Sequence, residues 1–539
     1  MTNVTAILSM LHESVQTNSA TRRFRSEPVL EWTLERLAMS ERITDVAIIC
    51  WEDQLQDVAP LAADAEVHVL AKGPRMNLPS IESVAAARRW ADGWRGGLFS
   101  TCDFDRGFHG PAVKEVVEKL DSHAVVLIDP AAGLVDAKLI DQIIAHAQAR
   151  ENVELCFTQA APGLAGVLLR PALVDRLASA RTHPGRLLCY LPESPMRDPI
   201  SGDGCVPIAA PIARTTRSFR LDSDRQIQRL TQASVHLNGE LVGSDAEDLI
   251  HRLHWTSEID PLPREIVLEL NTTRATSPVF WPGRFTKIDR ANLSLELAER
   301  IFEQLGGCDD VRLTLGGVGD PLLHPQVFEI IGLARSHGIR AIHVETDLLP
   351  EDPSLIEKLV ESETDVVSVH LPAMAHATYA SLMGADRFTQ VIDNIRRFVT
   401  CRQQRGIGLP LLAPLFTKCQ ANLGEMEAWY DQWLKAVGSV VVVEPTSYGG
   451  MVPDCGVADM SGPKRRACNR INSRMTLLSN GMAVSCEQDV LAKQLVGDVL
   501  SHTIEEIWRE GFAGLRQSHG CGQWASRSLC VGCHEWHRP

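Results

Sequence analysis

The first part of the chain alternates short apolar runs with segments of helical periodicity. The apolar runs predict buried strands at residues 6–11, 44–50 and 124–129. Apolar residues recur every three or four positions at 29–38 and 139–149, which predicts amphipathic helices. This β-α-β rhythm is typical of a doubly wound α/β domain, which we place at residues 1–234.

A polar connector containing Pro261-Leu-Pro263 follows, and we predict a linker at residues 235–262. The rhythm restarts at Arg264, where strand-like runs alternate with helical ones. The predicted strands are 264–270, 311–317, 339–346, 365–371, 409–416 and 439–445. Such a series of β-α units predicts a full or partial β/α barrel at residues 263–450, with its chemistry at the carboxyl ends of the strands.

Charge and composition narrow the class of protein. The formal net charge is −15, from 53 basic and 68 acidic residues, which disfavours binding to nucleic acid or to an anionic membrane. No apolar run approaches the ~18–20 residues that span a bilayer. The N-terminus lacks the basic and apolar regions of a signal peptide, so we expect a cytoplasmic protein. The 14 cysteines are then thiols or metal ligands rather than disulfides.

The segment 451–539 carries a spaced set of cysteines. Cys468 is followed by Gly481 and Cys486, and a Cys-x2-Cys pair, Cys530 and Cys533, comes later. A Ser-Asn-Gly turn between two apolar runs predicts a β-hairpin that returns Cys486 toward Cys468. Four thiolates so spaced are typical of a tetrahedral zinc or an iron–sulfur site.

Two details of this segment leave alternatives open. Cys521 lies just upstream of the pair and either replaces one ligand or is free. The run from Cys530 to His534 also matches a c-type haem attachment site, but haem attachment normally occurs outside the cytosol.

A glycine-rich turn follows the strand predicted at 311–317. It contains Gly316, Gly317, Gly319 and Asp320. Glycines at a strand end let main-chain amides approach a ligand closely, and an acid beyond them can hold an ammonium group. The alternative is a tight βα turn in which Asp320 caps the next helix.

This turn resembles the Gly-Gly-Glu-Pro motif of the radical S-adenosyl-L-methionine (SAM) superfamily, with Asp320 in place of glutamate. The resemblance covers about residues 264–539. It implies a radical SAM-type β/α barrel in which SAM is bound by Gly316, Gly317, Gly319 and Asp320.

The terminal cysteines resemble a SPASM-type extension. That resemblance implies a small Cys-rich domain with an auxiliary 4Fe–4S cluster bound by Cys468, Cys486, Cys530 and Cys533, with zinc as the alternative metal. SPASM-type relatives often modify peptides, so it also implies a peptide or protein partner.

The first barrel strand departs from the radical SAM pattern. The superfamily places Cys-x3-Cys-x2-Cys there, and the matching positions hold Ala275, Val279 and Pro282. No cysteine lies between Cys205 and Cys308. The resemblance therefore implies that the SAM-cleaving cluster has been lost.

The N-terminal part resembles nucleotide-sugar cytidylyltransferases. An arginine-rich loop contains Arg22, Arg23 and Arg25, and the strand at 124–129 ends in Asp129, which the resemblance implies to be a metal-binding residue. The glycine-rich phosphate loop is missing after the first strand. A nucleotidyltransferase-like domain joined to such a barrel and extension resembles the spiro-SPASM family.

Three functions follow from these resemblances. The first is a radical SAM/SPASM-type protein that modifies a peptide or small molecule with SAM. The second is a non-catalytic scaffold that binds a partner and keeps the auxiliary cluster, which the missing cysteines favour. The third is a nucleotide- or sugar-binding protein acting through residues 1–234, which the missing phosphate loop disfavours.

Overall fold

The computed structural model describes residues 3–15, 17–255 and 259–538. The chain divides into two compact units, Met1–Ser257 and Glu258–Pro539. Both are mixed α/β units built on parallel strands. None of the described helices is long and apolar enough to cross a membrane.

The first unit contains a six-stranded sheet of order β5-β4-β1-β6-β8-β7 and a separate two-stranded ribbon, β2-β3. Its strands are β1 Val4–Ser9, β2 Arg23–Phe24, β3 Glu27–Pro28, β4 Asp45–Cys50, β5 His68–Ala71, β6 Ala124–Ile128, β7 Leu155–Cys156 and β8 Val167–Leu169. Its helices are α1 Val29–Leu37, α2 Leu55–Asp64, α3 Pro79–Arg89, α4 Gly110–Lys119, α5 Ala137–Ala149, α6 Pro171–Ala180, α7 Ala210–Arg214, α8 Asp224–Ser234 and α9 Ala246–Arg252.

Apolar cores cover both faces of this sheet. Every residue of β1 and β6 is buried, as expected for central strands of a parallel sheet. Ala6 and Leu8 belong to a core with α1, α2 and α5, whereas Ile7 points into a core with α3, α4 and α6. The alternation of side chains along β1 therefore supplies both cores, as predicted for a doubly wound sheet.

The predicted linker at 235–262 is wrong over the part that the structure describes before residue 256. It contains a 3₁₀ segment, Val235–Leu241, and α9. Leu237, Leu241 and Leu249 are buried in one apolar cluster of the first unit. Leu241 comes four residues after Leu237, and Leu249 comes eight residues after Leu241, so the stretch predicted to be a polar connector buries apolar side chains at intervals close to whole helical turns. Residues 256–258 of that linker lie outside the described residues.

The second unit contains a nine-stranded sheet of order β14-β13-β12-β11-β10-β9-β15-β16-β17. Its strands are β9 Glu265–Glu269, β10 Arg312–Gly316, β11 Ala341–Thr346, β12 Val366–His370, β13 Leu411–Thr417, β14 Val441–Val443, β15 Arg474–Leu477, β16 Met482–Val484 and β17 Leu495–Asp498. Its helices are α10 Leu295–Leu305, α11 Val327–Ser336, α12 Leu355–Glu361, α13 His376–Met383, α14 Phe388–Arg405, α15 Met426–Val437, α16 Ile504–Glu506 and α17 Ala513–Gly520. The six predicted strands between 264 and 445 are confirmed.

The helices of these β/α units pack on one face of the sheet. The cross-strand neighbours Ile266, Leu313 and Ile342 are buried against α10 and α11. Val367 and Leu412, also cross-strand neighbours, are buried against α12, α14 and α15. One-sided helices are typical of β/α barrels, whereas the sheet itself is open, with β14 and β17 as its edges.

The cysteine-rich segment continues this sheet. β15 pairs in parallel with β9, and the antiparallel strands β16 and β17 extend the same edge. The predicted boundary between residues 450 and 451 therefore falls inside one compact unit.

Leu241→Ala tests the placement of the former linker. Leu241 is fully buried, so its truncation should destabilise the first unit by about 2–5 kcal/mol through lost burial and a cavity. Val235→Ala is the matched control, because Val235 is 68% exposed and should change little. Urea denaturation of the full chain measures both. Equal stability of the two variants would show that 235–241 is not part of the core.

Candidate functional site

The cysteines predicted as metal ligands lie at the ends of the added strands. Cys468 precedes β15 and Cys486 follows β16, and the predicted hairpin between them is confirmed. Gly481 makes the turn with a φ of +89°, a conformation that favours glycine. Cys530 and Cys533 lie in turns after α17.

Electrostatic interactions show that the four thiols are neighbours. Burial raises the pKa of Cys468, and the nearby Cys533 raises it further. Burial also raises the pKa of Cys530 to about 11, with contributions from Cys533 and Cys468. The pKa of Cys486 is raised by burial, by Glu487 and by Cys468. Three chain segments therefore bring these sulfurs to one region.

Main-chain N–H groups point at three of the four sulfurs. Arg470 and Ile471 donate to Cys468, Gln488 donates to Cys486, and Glu535 donates to Cys533 over 3.3 Å. Hydrogen bonds of this kind favour the thiolate form, which is the form that binds metal. They are also one of the means by which proteins tune iron–sulfur clusters.

Among the described residues, no three of these sulfurs all lie within 4.8 Å of one another. Cys521 is exposed immediately after α17.

Partly buried ion pairs attach the cysteine hairpin to the sheet. Glu487 contacts Arg470 at 2.6 Å and Arg474 at 2.7 Å. Arg474 also contacts Glu265 of β9 at 3.0 Å. Burial alone would raise the pKa of Glu487, but the two arginines lower it. The charges beside Cys486 are therefore compensated within the unit.

The glycine-rich turn packs closely against the end of β9. A Cβ at position 319 would lie 2.1 Å from Asn271 Oδ1, and Gly317 has a φ of +101°. Each of these positions therefore requires glycine for the turn itself. Gly316 ends β10 and lies beside Glu345.

Asp320 is buried, with 1% of its surface exposed. Its carboxylate accepts hydrogen bonds from Leu322 N, Thr346 Oγ1 and Asp347 N at 2.8–2.9 Å. Burial and the nearby Asp347 raise its pKa. Asp320 therefore caps the short 3₁₀ turn Pro321–Leu323, and its role toward SAM stays a prediction.

Arg274 lies where the superfamily pattern would begin its cysteine loop. Its guanidinium contacts both carboxylate oxygens of Asp347, at 2.5 and 3.0 Å, and stacks 4.1 Å from the ring of Trp281. The side chains of Arg274 and Asp347 are 8% and 0% exposed. Arg274 also attracts Asp320, so one resident cation lies beside both acids of this pair.

Polar side chains occupy the sheet face opposite the helices. His370 Nε2 lies 2.9 Å from Glu345 Oε1, and His343 Nε2 lies 2.8 Å from Ser368 Oγ. Burial alone would raise the pKa of Glu345, but His370, His343 and Arg274 hold it at about 2. Sequence analysis missed this group. The signal was present in polar residues two positions apart within apolar strands, which share one face.

No family model matches the chain. A curated uncharacterized protein from Treponema pallidum (strain Nichols) is 24% identical over 296 residues, which cover 51% of this chain and 79% of that protein.

Solved structures similar to this chain include radical SAM enzymes. BtrN in complex with AdoMet and 2-DOIA is 18% identical, over 51% of this chain and 94% of BtrN, with a TM-score of 0.36. Streptococcus suis SuiB bound to precursor peptide SuiA is 13% identical, over 48% of this chain and 67% of SuiB, with a TM-score of 0.40. A cytidylyltransferase from Leptospira borgpetersenii is 12% identical, over 46% of this chain and 91% of the enzyme, with a TM-score of 0.32. Sequence identities and TM-scores this low support no conclusion about the activity of this chain.

Arg274→Leu should destabilise the second unit by about 3–5 kcal/mol, because it leaves the carboxylate of Asp347 buried without its cation. The double variant Arg274→Leu/Asp347→Leu should recover part of that loss. Lys287→Ala is the control, because the Lys287–Asp289 pair is exposed and worth little. Urea denaturation measures all three. If Arg274→Leu is no worse than Lys287→Ala, Arg274 does not hold this region together.

Proposed function

We propose that the second unit binds one 4Fe–4S cluster through Cys468, Cys486, Cys530 and Cys533, and that the chain does not cleave SAM. The observation that carries the proposal is the convergence of the four thiols with main-chain donors directed at three of them. A bound cluster supplies one-electron transfer. The proposal that the chain does not cleave SAM rests on the loop after β9, which has no cysteine to hold a second cluster beside SAM.

The residues around the thiols suit such a cluster. The N–H donors offset the negative charge of the thiolates, and the nearby Arg470 does the same for Cys468 and Cys486. The sulfurs of Cys468, Cys530 and Cys533 are held in partly buried turns, which limits contact with water. Thiolates of a 4Fe–4S cluster bind separate irons, so they need not approach one another as zinc ligands do.

The region of the expected SAM pocket supports a loss of that chemistry. The loop after β9 has no thiol to hold a second cluster. Asp320, the expected ammonium anchor, uses its carboxylate oxygens to accept hydrogen bonds from the chain. Arg274 supplies beside it the positive charge that a cationic ligand would bring.

We therefore favour a non-catalytic, cluster-bearing protein that binds a peptide or protein partner. In the polar group of Glu345, His370, His343 and Ser368, the Glu345 side chain is 28% exposed, so its carboxylate is accessible to such a partner. SAM-dependent modification of a peptide or small molecule is the alternative. Nothing in the first unit's loop after β1 provides the glycine-rich phosphate loop that nucleotide binding would use.

Anaerobic reconstitution should give about four irons and four sulfides per chain, as expected for a cubane on four thiolates. Cys533→Ala should lose the cluster and destabilise the hairpin, because ligation and folding are coupled. Cys521→Ala is the matched control, because this thiol is exposed and should be dispensable. Metal and sulfide analysis with absorbance spectroscopy measures both. Stoichiometric zinc without sulfide would contradict the proposal.

With dithionite and SAM, the reconstituted chain should form no 5′-deoxyadenosine, because the loop that directly follows β9 contains no cysteine to bind a SAM-cleaving cluster. Calorimetry should show no heat with millimolar SAM for wild type or for Asp320→Asn, with Asp289→Asn as an exposed control. Multiple turnovers would instead establish an active radical enzyme. SAM binding that Asp320→Asn weakens roughly tenfold, or about 1.4 kcal/mol, would restore Asp320 as the ammonium anchor.

A further inference from the structure

A group of ligand-type side chains lies in the first unit, apart from the cysteines. His12 and Glu13 follow β1, and Asp129 follows β6. One ligand atom from each lies within 4.8 Å of the other two. β1 and β6 are adjacent parallel strands, so their carboxyl ends meet at one edge of the sheet.

This edge is the point at which the strand order changes direction. From β1 the sheet runs to β4 and β5 on one side and to β6 on the other. The chain leaves the two neighbouring strands in opposite directions there, which opens a crevice where open α/β sheets bind ligands. The position is therefore one at which the fold itself favours a site.

Two atoms of the group are buried without a hydrogen-bond partner. They are His12 Nδ1 and Asp129 Oδ2. The Asp129 side chain is only 8% exposed, and its other oxygen accepts from Ala131 N at 2.9 Å. The nearest arginine atom, Arg106 Nε, is 3.8 Å from Oδ2, beyond hydrogen-bond distance. A polar atom that is buried without a hydrogen-bond partner lowers the stability of the fold. Two such atoms in one group therefore point to a partner that both of them bind.

The chain packs closely at His12 and leaves space at Asp129. Gly107 has a φ of +67°, and a Cβ there would lie 2.7 Å from His12 Nδ1, so a side chain at this position would crowd that atom. A cavity of about 20 Å³ is lined by Asp129 together with Ser9, Asp103 and Arg106 among others. This is room for a single small ion or water.

The third ligand is oriented from the loop that follows. Glu13 accepts hydrogen bonds from both the main-chain N–H and the hydroxyl of Ser19. These bonds hold its carboxylate beside His12 before any ion binds. Such support of a metal-binding carboxylate is a regular feature of metal sites.

The acids farther from the group already have arginine partners. Asp103 pairs with Arg220, and Arg220 also contacts Asp222 at 2.7 Å. The carboxylates of Glu13 and Asp129 attract a cation, and Arg106, whose Nε lies 3.8 Å from Asp129 Oδ2, offsets part of that attraction.

We propose that His12, Glu13 and Asp129 bind a divalent transition-metal ion at the carboxyl ends of β1 and β6. One imidazole and two carboxylates suit Mn²⁺ or Zn²⁺ better than Mg²⁺, which prefers oxygen ligands alone. Three protein ligands leave coordination positions for a water or an anionic ligand. The resemblance to cytidylyltransferases implied only Asp129, and the two additional ligands come from the structure.

Mn²⁺ is the probe for the test. It binds thiolates poorly, so it should not bind to the cysteines of the second unit. Electron paramagnetic resonance of free Mn²⁺ titrated with the full-length chain should show one bound ion for wild type. His12→Ala and Asp129→Asn should each weaken binding roughly tenfold or more, since even changes around the ligands of a metal site cost that much.

Two controls isolate the group. His68→Ala removes an exposed histidine that lies 3.4 Å from Asp45 in the same unit, and it should bind Mn²⁺ as wild type does. Cys533→Ala should also bind normally, which separates this site from the proposed cluster. Excess Zn²⁺ should displace the manganese, whereas equimolar Mg²⁺ should not.

A measurement of the melting temperature (Tm) with and without Mn²⁺ tests binding in variants that fold poorly. Mn²⁺ should raise the Tm of wild type and His68→Ala but not that of Glu13→Gln, because an ion stabilises only a state that binds it. The absence of Mn²⁺ binding by wild type at millimolar concentration would overturn the proposal. Binding that His12→Ala and Asp129→Asn leave unchanged would overturn it as well.

Discussion

The parallel pairing of β15 with β9 is the interaction on which the second unit depends. Four residue pairs form the register, from Arg474 opposite Glu265 to Leu477 opposite Leu268. Met475 and Leu477 are fully buried in the apolar cluster that also contains α10 and α11. On the opposite face, Arg474 and Glu265 form an ion pair. One strand thus joins the cysteine hairpin to the β/α units by main-chain pairing, apolar packing and charge.

The polar face of this sheet imposes a second constraint. A buried charge is tolerated only with a partner, since removing it from water costs several kcal/mol. Each of the main acids here has a partner: Glu269 contacts Arg290, Glu345 contacts His370 and Asp347 contacts Arg274. The Arg274 pair lies in the loop where a cysteine triplet would be expected. Arg274 therefore stabilises this loop, and its positive charge balances the carboxylate of Asp347 where the loop has no cysteine.

Both units have polar side chains of candidate sites at the carboxyl ends of parallel strands. In the first unit His12 and Asp129 follow adjacent strands, and in the second Asp320 and Asp347 do so. Loops at these ends are free to vary because the sheet beneath them is held by its own packing. The cysteines differ in position: Cys468 and Cys486 flank a hairpin added to the edge of the sheet, and Cys530 and Cys533 follow α17.

The sequence by itself predicted three strands and two helices of the first unit and the six strands between 264 and 445, because each of these has a local pattern of apolar residues. It also determined the cysteine hairpin, since the turn and its flanking strands lie within 20 residues. It failed at 235–255, where a short helical period was hidden among polar residues. Only the tertiary structure decided that Arg274 pairs with Asp347 and that His12 and Glu13 lie beside Asp129, 116 residues further along the chain. Such contacts depend on strand order and register, which no local pattern specifies.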